Sequence, residues 1–311
     1  MGSPIDLVTG AFSYTGSRVA TRLVAAGREV RTLTNHPPQG ESNHPQIQVY
    51  PLALDRPEVL QRALYGVDTV YNTYWVRFPR GDLTYERAVE NSLRLVEAAE
   101  MAGVRRFVHV SIANAAEDSL LPYYSGKARV EAYVRASGIS YAIVRPTVIY
   151  GGGDVLVNNI AWFLRHLPVF AIPGSGRYRI QPVYVEDHAD LLVRLGGERA
   201  NDAIDSVGPD VYTFEEFVRL IARQVNSRSL IVKLRGRWVL AGLRVAGFPL
   251  RDTVLTRDEV QGLMQDLLIS TGKPTCPTRF EEWLTENAGS AGSRYASELA
   301  RHFRQQPQSR P

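Results

Sequence analysis

The chain has 311 residues, 44% hydrophobic and 22% charged, with a net charge of +4 and one cysteine. That balance supplies a sizeable core and excludes wholesale disorder, while the lone Cys276 excludes an internal disulfide and fits a reducing, cytoplasmic setting. The basic residues are scattered, with no run of five or six, and no apolar stretch approaches the ~18 residues of a membrane span, so neither nucleic acid nor membrane is expected as a partner.

Ile5 to Thr9 reads as a buried strand. Helical spacing of Val19, Leu23 and Ala26 follows, with Gly27 as the stop. A second strand over Val30–Thr34 leads into a Pro-, Gly- and His-containing loop, then a strand at Ile47–Tyr50 and a helix near Pro57–Tyr65. A strand at Thr69–Thr73, a long helix over about Leu83–Met101, a strand at Arg106–Ser111, a helix at Tyr124–Ala136 and a strand at Tyr141–Arg145 complete the series. Six strands alternating with helices predict an α/β protein with a doubly wound parallel Rossmann sheet. After Gly151-Gly152-Gly153 the alternation breaks. A helix at Phe214–Gln224, a strand at Leu230–Leu234 and a helical region at Trp238–Leu268, interrupted at Pro249, can still be picked out. The expected division is a nucleotide-binding core over residues 1–150, a mixed segment over 151–303 that completes the core and forms a smaller C-terminal substrate-binding cap, and a frayed tail over 304–311.

The chemistry begins directly after the first strand. Gly10-Ala11-Phe12-Ser13-Tyr14-Thr15-Gly16 carries the Gly-x-x-Gly-x-x-Gly spacing of a dinucleotide loop, with Ser13 at the middle glycine. Gly10 permits the tight turn, Gly16 permits close helix–strand packing, and the helix N-terminus offers amides to a pyrophosphate. Ser13, Tyr14 and Thr15 lie within reach of the phosphates, and Thr73, at the end of the fourth strand, is expected to line the same cleft. An NAD-specific site places an acid at the end of the second strand. Here that position carries Thr34, Asn35 and His36, which could hydrogen-bond a 2′-phosphate, with Arg18 as a further helper. The expected cofactor is NADP in preference to NAD.

Only three of the 36 basic residues are lysines, so a lysine in a suggestive position is informative. Lys127 stands four residues after Tyr123, which puts the two on one helix face. A phenol is a poor acid/base at neutral pH until a nearby ammonium favours its phenolate. Ser111, at a strand's carboxyl end, could hold a substrate carbonyl or hydroxyl. Ser111, Tyr123 and Lys127 are therefore the candidate catalytic set, with Lys127 also serving the nicotinamide ribose. Tyr124 is only three residues from Lys127 and is the wrong member of the pair. The six scattered histidines include no pair at i,i+4 spacing, and no metal site is expected.

These residues resemble the extended or atypical short-chain dehydrogenase/reductases, covering residues 5 to about 195. Further matches are Asn91, the segment Arg145 to Gly151, and the segment Gln181 to Asp187. Within that superfamily, the run from His109 through Tyr123 and Lys127 to Glu131 is similar to the nucleotide-binding accessory subunit of mitochondrial complex I. The resemblance implies that Pro146, Thr147 and Val148 lie near the nicotinamide and that Asn91 supports a proton relay. It also implies that Tyr74, Trp75, Phe78, Asn158, Asn159, Trp162 and Tyr178 fall among pocket positions. The expected activity is NAD(P)-dependent hydride transfer, as an oxidoreductase or epimerase, at a carbinol or carbonyl carbon of a small, ring-containing or largely apolar substrate, by a monomer or homodimer. The alternative is a non-catalytic NAD(P)-binding redox sensor or assembly subunit.

Overall fold

The computed structural model describes residues 3–35, 37, 46–235 and 256–297. His36, the stretch Trp238–Leu250 and the tail from 304 lie outside the described residues. In chain order the first elements are β1 (Ile5–Thr9), α1 (Tyr14–Ala25), β2 (Glu29–Leu33), β3 (Ile47–Tyr50), α2 (Pro57–Leu64), β4 (Val67–Asn72) and α3 (Tyr85–Met101). They are followed by β5 (Arg106–Val110), α4 (Pro122–Ala136), β6 (Ser140–Pro146), β7 (Val148–Tyr150), α5 (Leu156–His166), β8 (Val169–Pro173), β9 (Arg179–Ile180) and β10 (Pro182–Tyr184). The rest are α6 (Val185–Gly197), β11 (Asp202–Ser206), β12 (Tyr212–Thr213), α7 (Phe214–Gln224), β13 (Leu230–Leu234), α8 (Arg257–Met264) and α9 (Phe280–Asn287).

Two compact units result. The first comprises the described parts of Met1–Ile149, Val183–Gly208 and Ser270–Pro277. Its seven-stranded sheet runs β11-β6-β5-β4-β1-β2-β3 with every neighbouring pair parallel. Strands 3-2-1-4-5-6 are the Rossmann order, and the order reverses between β1 and β4, where a ligand crevice forms at the carboxyl ends. Both faces are buried, as a parallel sheet requires. Leu7, Val70, Phe107 and Ile143 pack with Leu60 and Leu64 of α2, Val89 and Leu95 of α3 and Val130 and Val134 of α4. Their sequence neighbours Val8, Tyr71, Val108 and Val144 point the other way, against Val19 and Leu23 of α1 and Leu192 and Leu195 of α6.

Local signals set the helix starts. The Ser13 side chain caps α1, Thr84 caps α3, and Pro122 opens α4 with its preset φ. Because α4 begins at Pro122, Tyr123 falls inside its first turn with Lys127 one turn on. The seventh strand was not anticipated. Asp202-Ala-Ile-Asp-Ser carries two acids in five residues and lacks an apolar run, yet it pairs along β6 as an edge strand, its outer end exposed to water.

The second unit comprises the described parts of Tyr150–Pro182, Pro209–Ile269 and Thr278–Pro311. The parallel pair β8/β13 and the short antiparallel pair β9/β12 accompany α5, α7, α8 and α9. Capping boxes open α7 (Thr213 with Glu216) and α8 (Thr256 with Glu259). Its core stacks Phe217 on Phe280 at 4.6 Å between ring centroids, with Tyr150 edge-on to Phe280 at 4.9 Å.

Candidate active site

The loop after β1 is as tight as its glycines predict. Gly10 has φ +67°, its amide donates to the Leu33 carbonyl at 3.0 Å, and its carbonyl accepts from the Ser13 amide at 2.8 Å. A Cβ on Gly16 would lie 2.1 Å from the Gly10 oxygen, so only glycine lets α1 start this close to β1. Ser13 Oγ accepts from the Gly16 amide at 3.3 Å, which makes the departure at the middle glycine an N-cap and leaves its hydroxyl proton to donate. The first turn of α1 holds no acid, so its positive end is uncompensated. Tyr14 and Thr15 form that first turn. Thr32 Oγ1, which sequence reasoning missed, accepts from the Ala11 amide at 3.0 Å and pins the loop.

At the end of β2, Thr34 donates its amide to the Tyr50 carbonyl at 3.0 Å, and Asn35 Oδ1 accepts from the Leu52 amide at 3.1 Å. Arg18 is engaged elsewhere: its Nε donates to Glu186 of α6 at 3.1 Å and its guanidinium stacks on the Tyr14 ring at 4.5 Å. The described residues here therefore include no carboxylate at the position that would repel a 2′-phosphate, and the arginine considered for recognising one is tied to α6.

The crevice between β1 and β4 is stitched by side chains. The Thr73 hydroxyl donates to the Thr9 carbonyl at 2.5 Å, while Thr9 Oγ1 accepts from the amides of Thr73 at 2.8 Å and Tyr74 at 3.0 Å. Asn72 lies 3.2 Å, Nδ2 to Nδ1, from His109, its register partner on β5. Burial, helped by the charge of Lys127, holds His109 well below the ordinary imidazole range, so it is neutral. With Asn72 donating to Nδ1, the ring proton sits on Nε2. Asn72 did not stand out in the sequence, and His109 did so only as the head of the run that carries the resemblance, because nothing local announces that two strands will place them side by side.

Lys127 is only 2% exposed. Its Nζ donates to the Val110 carbonyl at 2.7 Å and lies 4.3 Å from the centroid of the Trp75 ring. Burial lowers its pKa to about 7, against the opposing pull of Glu131. Tyr123 packs edge-to-face on Trp75, Tyr85 and Tyr124, at 5.9, 5.8 and 5.8 Å between centroids. Tyr124 turns into the core. Ser111, 3% exposed, follows β5, with its amide bonded to the Val144 carbonyl at 2.8 Å. Glu131, one helical turn beyond Lys127, accepts from Arg145 Nε at 2.8 Å and from Arg135 at 3.0 Å. Burial pushes the Glu131 carboxyl up, but Arg145, Ser111 and Arg135 outweigh it and hold the group below its ordinary value. Pro146, Thr147 and Val148 are buried, and the Pro146 carbonyl accepts from the Ala113 amide at 2.9 Å.

Parallel strands bring the Gly10–Gly16 loop, Thr73, Ser111 and Pro146–Val148 to one carboxyl edge of the sheet. Of the other expected pocket positions, Tyr74 Oη accepts from Asn91 Nδ2 at 3.0 Å. Asn158, Asn159 and Tyr178 hydrogen-bond the carbonyls of Arg294, Ala296 and Pro173 inside the second unit, and Trp162 stacks on His166.

The glycine cradle, the uncompensated helix N-terminus and the acid-free end of β2 fit a dinucleotide phosphate ester. Residues 10–158 match the family model described as NAD(P)H-binding. That stretch is thus similar to NAD(P)H-binding proteins and lies on a sheet of Rossmann order, and the relatives of the chain include a reductase and a hydroxysteroid dehydrogenase. The chain is 24% identical over 290 residues to the 40 kDa subunit of NADH-ubiquinone oxidoreductase of Neurospora crassa, covering 86% of this chain and 76% of that protein. It is 27% identical over 234 residues to the ceramide reductase of Caulobacter vibrioides, covering 73% and 72%. Among solved structures, the triphenylmethane reductase of Citrobacter sp. complexed with NADP(H) superposes with a TM-score of 0.72 at 18% identity, over 91% of this chain and 99% of that one. Among the described residues, no helix is long and apolar enough to cross a membrane.

Proposed function

We propose that the chain is an NAD(P)-dependent oxidoreductase or epimerase acting at a carbinol or carbonyl carbon of a small, largely apolar or ring-containing substrate. The observation that carries this reading is Tyr123 and Lys127 one turn apart on α4, with the lysine buried beside the end of β5 that Ser111 continues. A nicotinamide cofactor held at this edge of the sheet would supply or accept the hydride. In the reductive direction the Tyr123 hydroxyl gives its proton to the substrate oxygen, and in the oxidative direction its phenolate takes that proton back. The Lys127 ammonium favours the phenolate, and the Ser111 hydroxyl orients the substrate oxygen. Gly10, Ser13, Tyr14, Thr15 and Gly16 would hold the pyrophosphate, Thr34 and Asn35 the adenosine end, and Thr73 and Pro146–Val148 the nicotinamide end of the cofactor. Trp75 and Tyr85, edge-on to Tyr123, give the site an aromatic wall, which suits an apolar substrate and agrees with the ceramide reductase likeness. NADP is the preferred cofactor, supported by the absence of a carboxylate among the described residues at the end of β2.

Tyr123→Phe tests the reading. Cofactor affinity should stay near wild type, because the ring remains, while turnover of a responding carbonyl or alcohol substrate falls by roughly 10²-fold or more. Tyr124→Phe, in the core, serves as the control. Unchanged turnover in Tyr123→Phe removes Tyr123 from the chemistry. The second reading, a non-catalytic NAD(P)-binding subunit or sensor, is favoured by the likeness to the 40 kDa respiratory subunit along most of the chain. It takes over if NADPH binds but a broad carbonyl and alcohol panel is never turned over.

A further inference from the structure

We infer that Trp75 is a positioning residue of this site, holding the Lys127 ammonium on the face of its indole and the Tyr123 ring in an edge-to-face contact. The inference rests on Tyr123 and Lys127 being the acid/base pair proposed above. Three independent features of the structure lead to it.

The first is the way Lys127 is solvated. A buried ammonium has three donors to satisfy. Lys127 gives one to the Val110 carbonyl and forms no ion pair among the described residues. The groups facing it are Glu131, which acts through space from the same helix, the neutral His109 on β5, and the Trp75 ring 4.3 Å away. Trp presents the most electron-rich face of the aromatic side chains, and its pull on a cation is greatest where water is excluded. The ring thus does for this lysine what a contacting carboxylate does for most buried cations.

The second feature is Trp75 itself. Its Nε1–H is buried with no hydrogen-bond partner among the described residues. A buried donor left unpaired opposes the placement of the ring. The ring is therefore kept there by its faces and edges.

The third is Gly126, in the interior of α4 between the two catalytic candidates, where glycine is an unfavourable helix residue. A Cβ there would stand 3.4 Å from Trp75 Cη2 and Cζ2 and 3.2 Å from Val89 Cγ2. The tighter of these contacts is with Val89 of α3, the indole lying at ordinary van der Waals distance, so the glycine lets α4 close on α3 with Trp75 packed beside it and with Tyr123 and Lys127 on the same ring.

The consequence is functional. Weakening the ring face disfavours the charged amine, so Lys127 loses its proton at lower pH and no longer assists the Tyr123 phenolate. Trp75 sets the upper pH limit of that assistance. The chain has three lysines, so protein labelled with 13Cε-lysine yields three side-chain signals, with Lys127 assigned by Lys127→Arg. Fluorinated tryptophans of increasing fluorine number drain the ring face while keeping its shape. Among the described residues, Trp75 is the tryptophan with a lysine over its ring. The Lys127 midpoint should fall stepwise with each fluorine, by roughly one pH unit across the series. A flat or rising series overturns the inference. The titration uses no substrate, so it can fail while Tyr123→Phe still abolishes turnover, and it can succeed while the acid/base reading fails.

Discussion

Gly16→Ala puts the packing of the nucleotide loop to a quantitative test. The added methyl would stand 2.1 Å from the Gly10 oxygen, 2.8 Å from the Gly10 carbonyl carbon and 3.0 Å from Ser13 Oγ. The first two are backbone atoms of a turn fixed by the Gly10 to Leu33 and Ser13 to Gly10 hydrogen bonds, so the strain is relieved only by moving α1 away by roughly 1 Å. Overpacking of that kind costs about 1–3 kcal/mol. The shift also weakens the Ser13 cap, worth about 0.5–2 kcal/mol, while alanine returns up to about 1 kcal/mol of helix propensity. The net expectation is a loss of about 2 kcal/mol, read as a lower urea midpoint. NADPH affinity should fall at least tenfold, since the amides at the helix N-terminus move with the helix. Gly197→Ala is the matched control: it ends α6, and a Cβ there meets nothing within 4 Å. Its midpoint should stay within about 0.5 kcal/mol of wild type. A Gly16→Ala protein with wild-type midpoint and affinity refutes the close-approach argument.

Two further expectations follow from particular residues. With Thr34 and Asn35 at the end of β2, NADPH should bind more tightly than NADH in a fluorescence titration, and a tenfold preference for NADH would sink that assignment. His188 is fully buried, with Nδ1 2.8 Å from Ser206 Oγ, and burial lowers its pKa to about 3. An unfolded histidine titrates near 6.5, so between about pH 3 and 6.5 the unfolded chain binds a proton that the native chain refuses. Stability therefore rises with pH across that window, by up to about 1.4 kcal/mol per pH unit from this group. His109 contributes with the same sign. Urea unfolding at a series of pH values should give a shallower slope for His188→Asn, and an unchanged slope would count against the depressed pKa.

What could be read before folding was local. The strands and helices of residues 5 to 146 begin within two residues of where periodicity and turn residues put them, because both faces of a parallel sheet demand apolar runs and each crossover demands an amphipathic helix. The Tyr123–Lys127 spacing was readable for the same reason: four residues apart on a helix is a fixed geometry, whatever surrounds it. The loop from Gly10 to Gly16 was readable because turn, close approach and helix start are all encoded within seven residues.

Only the tertiary structure decided the rest. Asp202–Ser206 becomes a seventh strand through pairing with β6, which its two acids give no hint of. Ser13 proved to be a cap and Arg18 a partner of Glu186, 168 residues away. Asn72 meets His109 through strand register, and Glu131 meets Arg145 through the packing of α4 on β6. Trp75 reaches Lys127 from 52 positions earlier in the chain, because the pairing of β4 with β5 sets the segment after β4 beside the end of β5 that Lys127 bonds. Composition and periodicity set which faces are buried. Which side chains meet there depends on strand order and helix placement, and those are settled when the whole core packs at once.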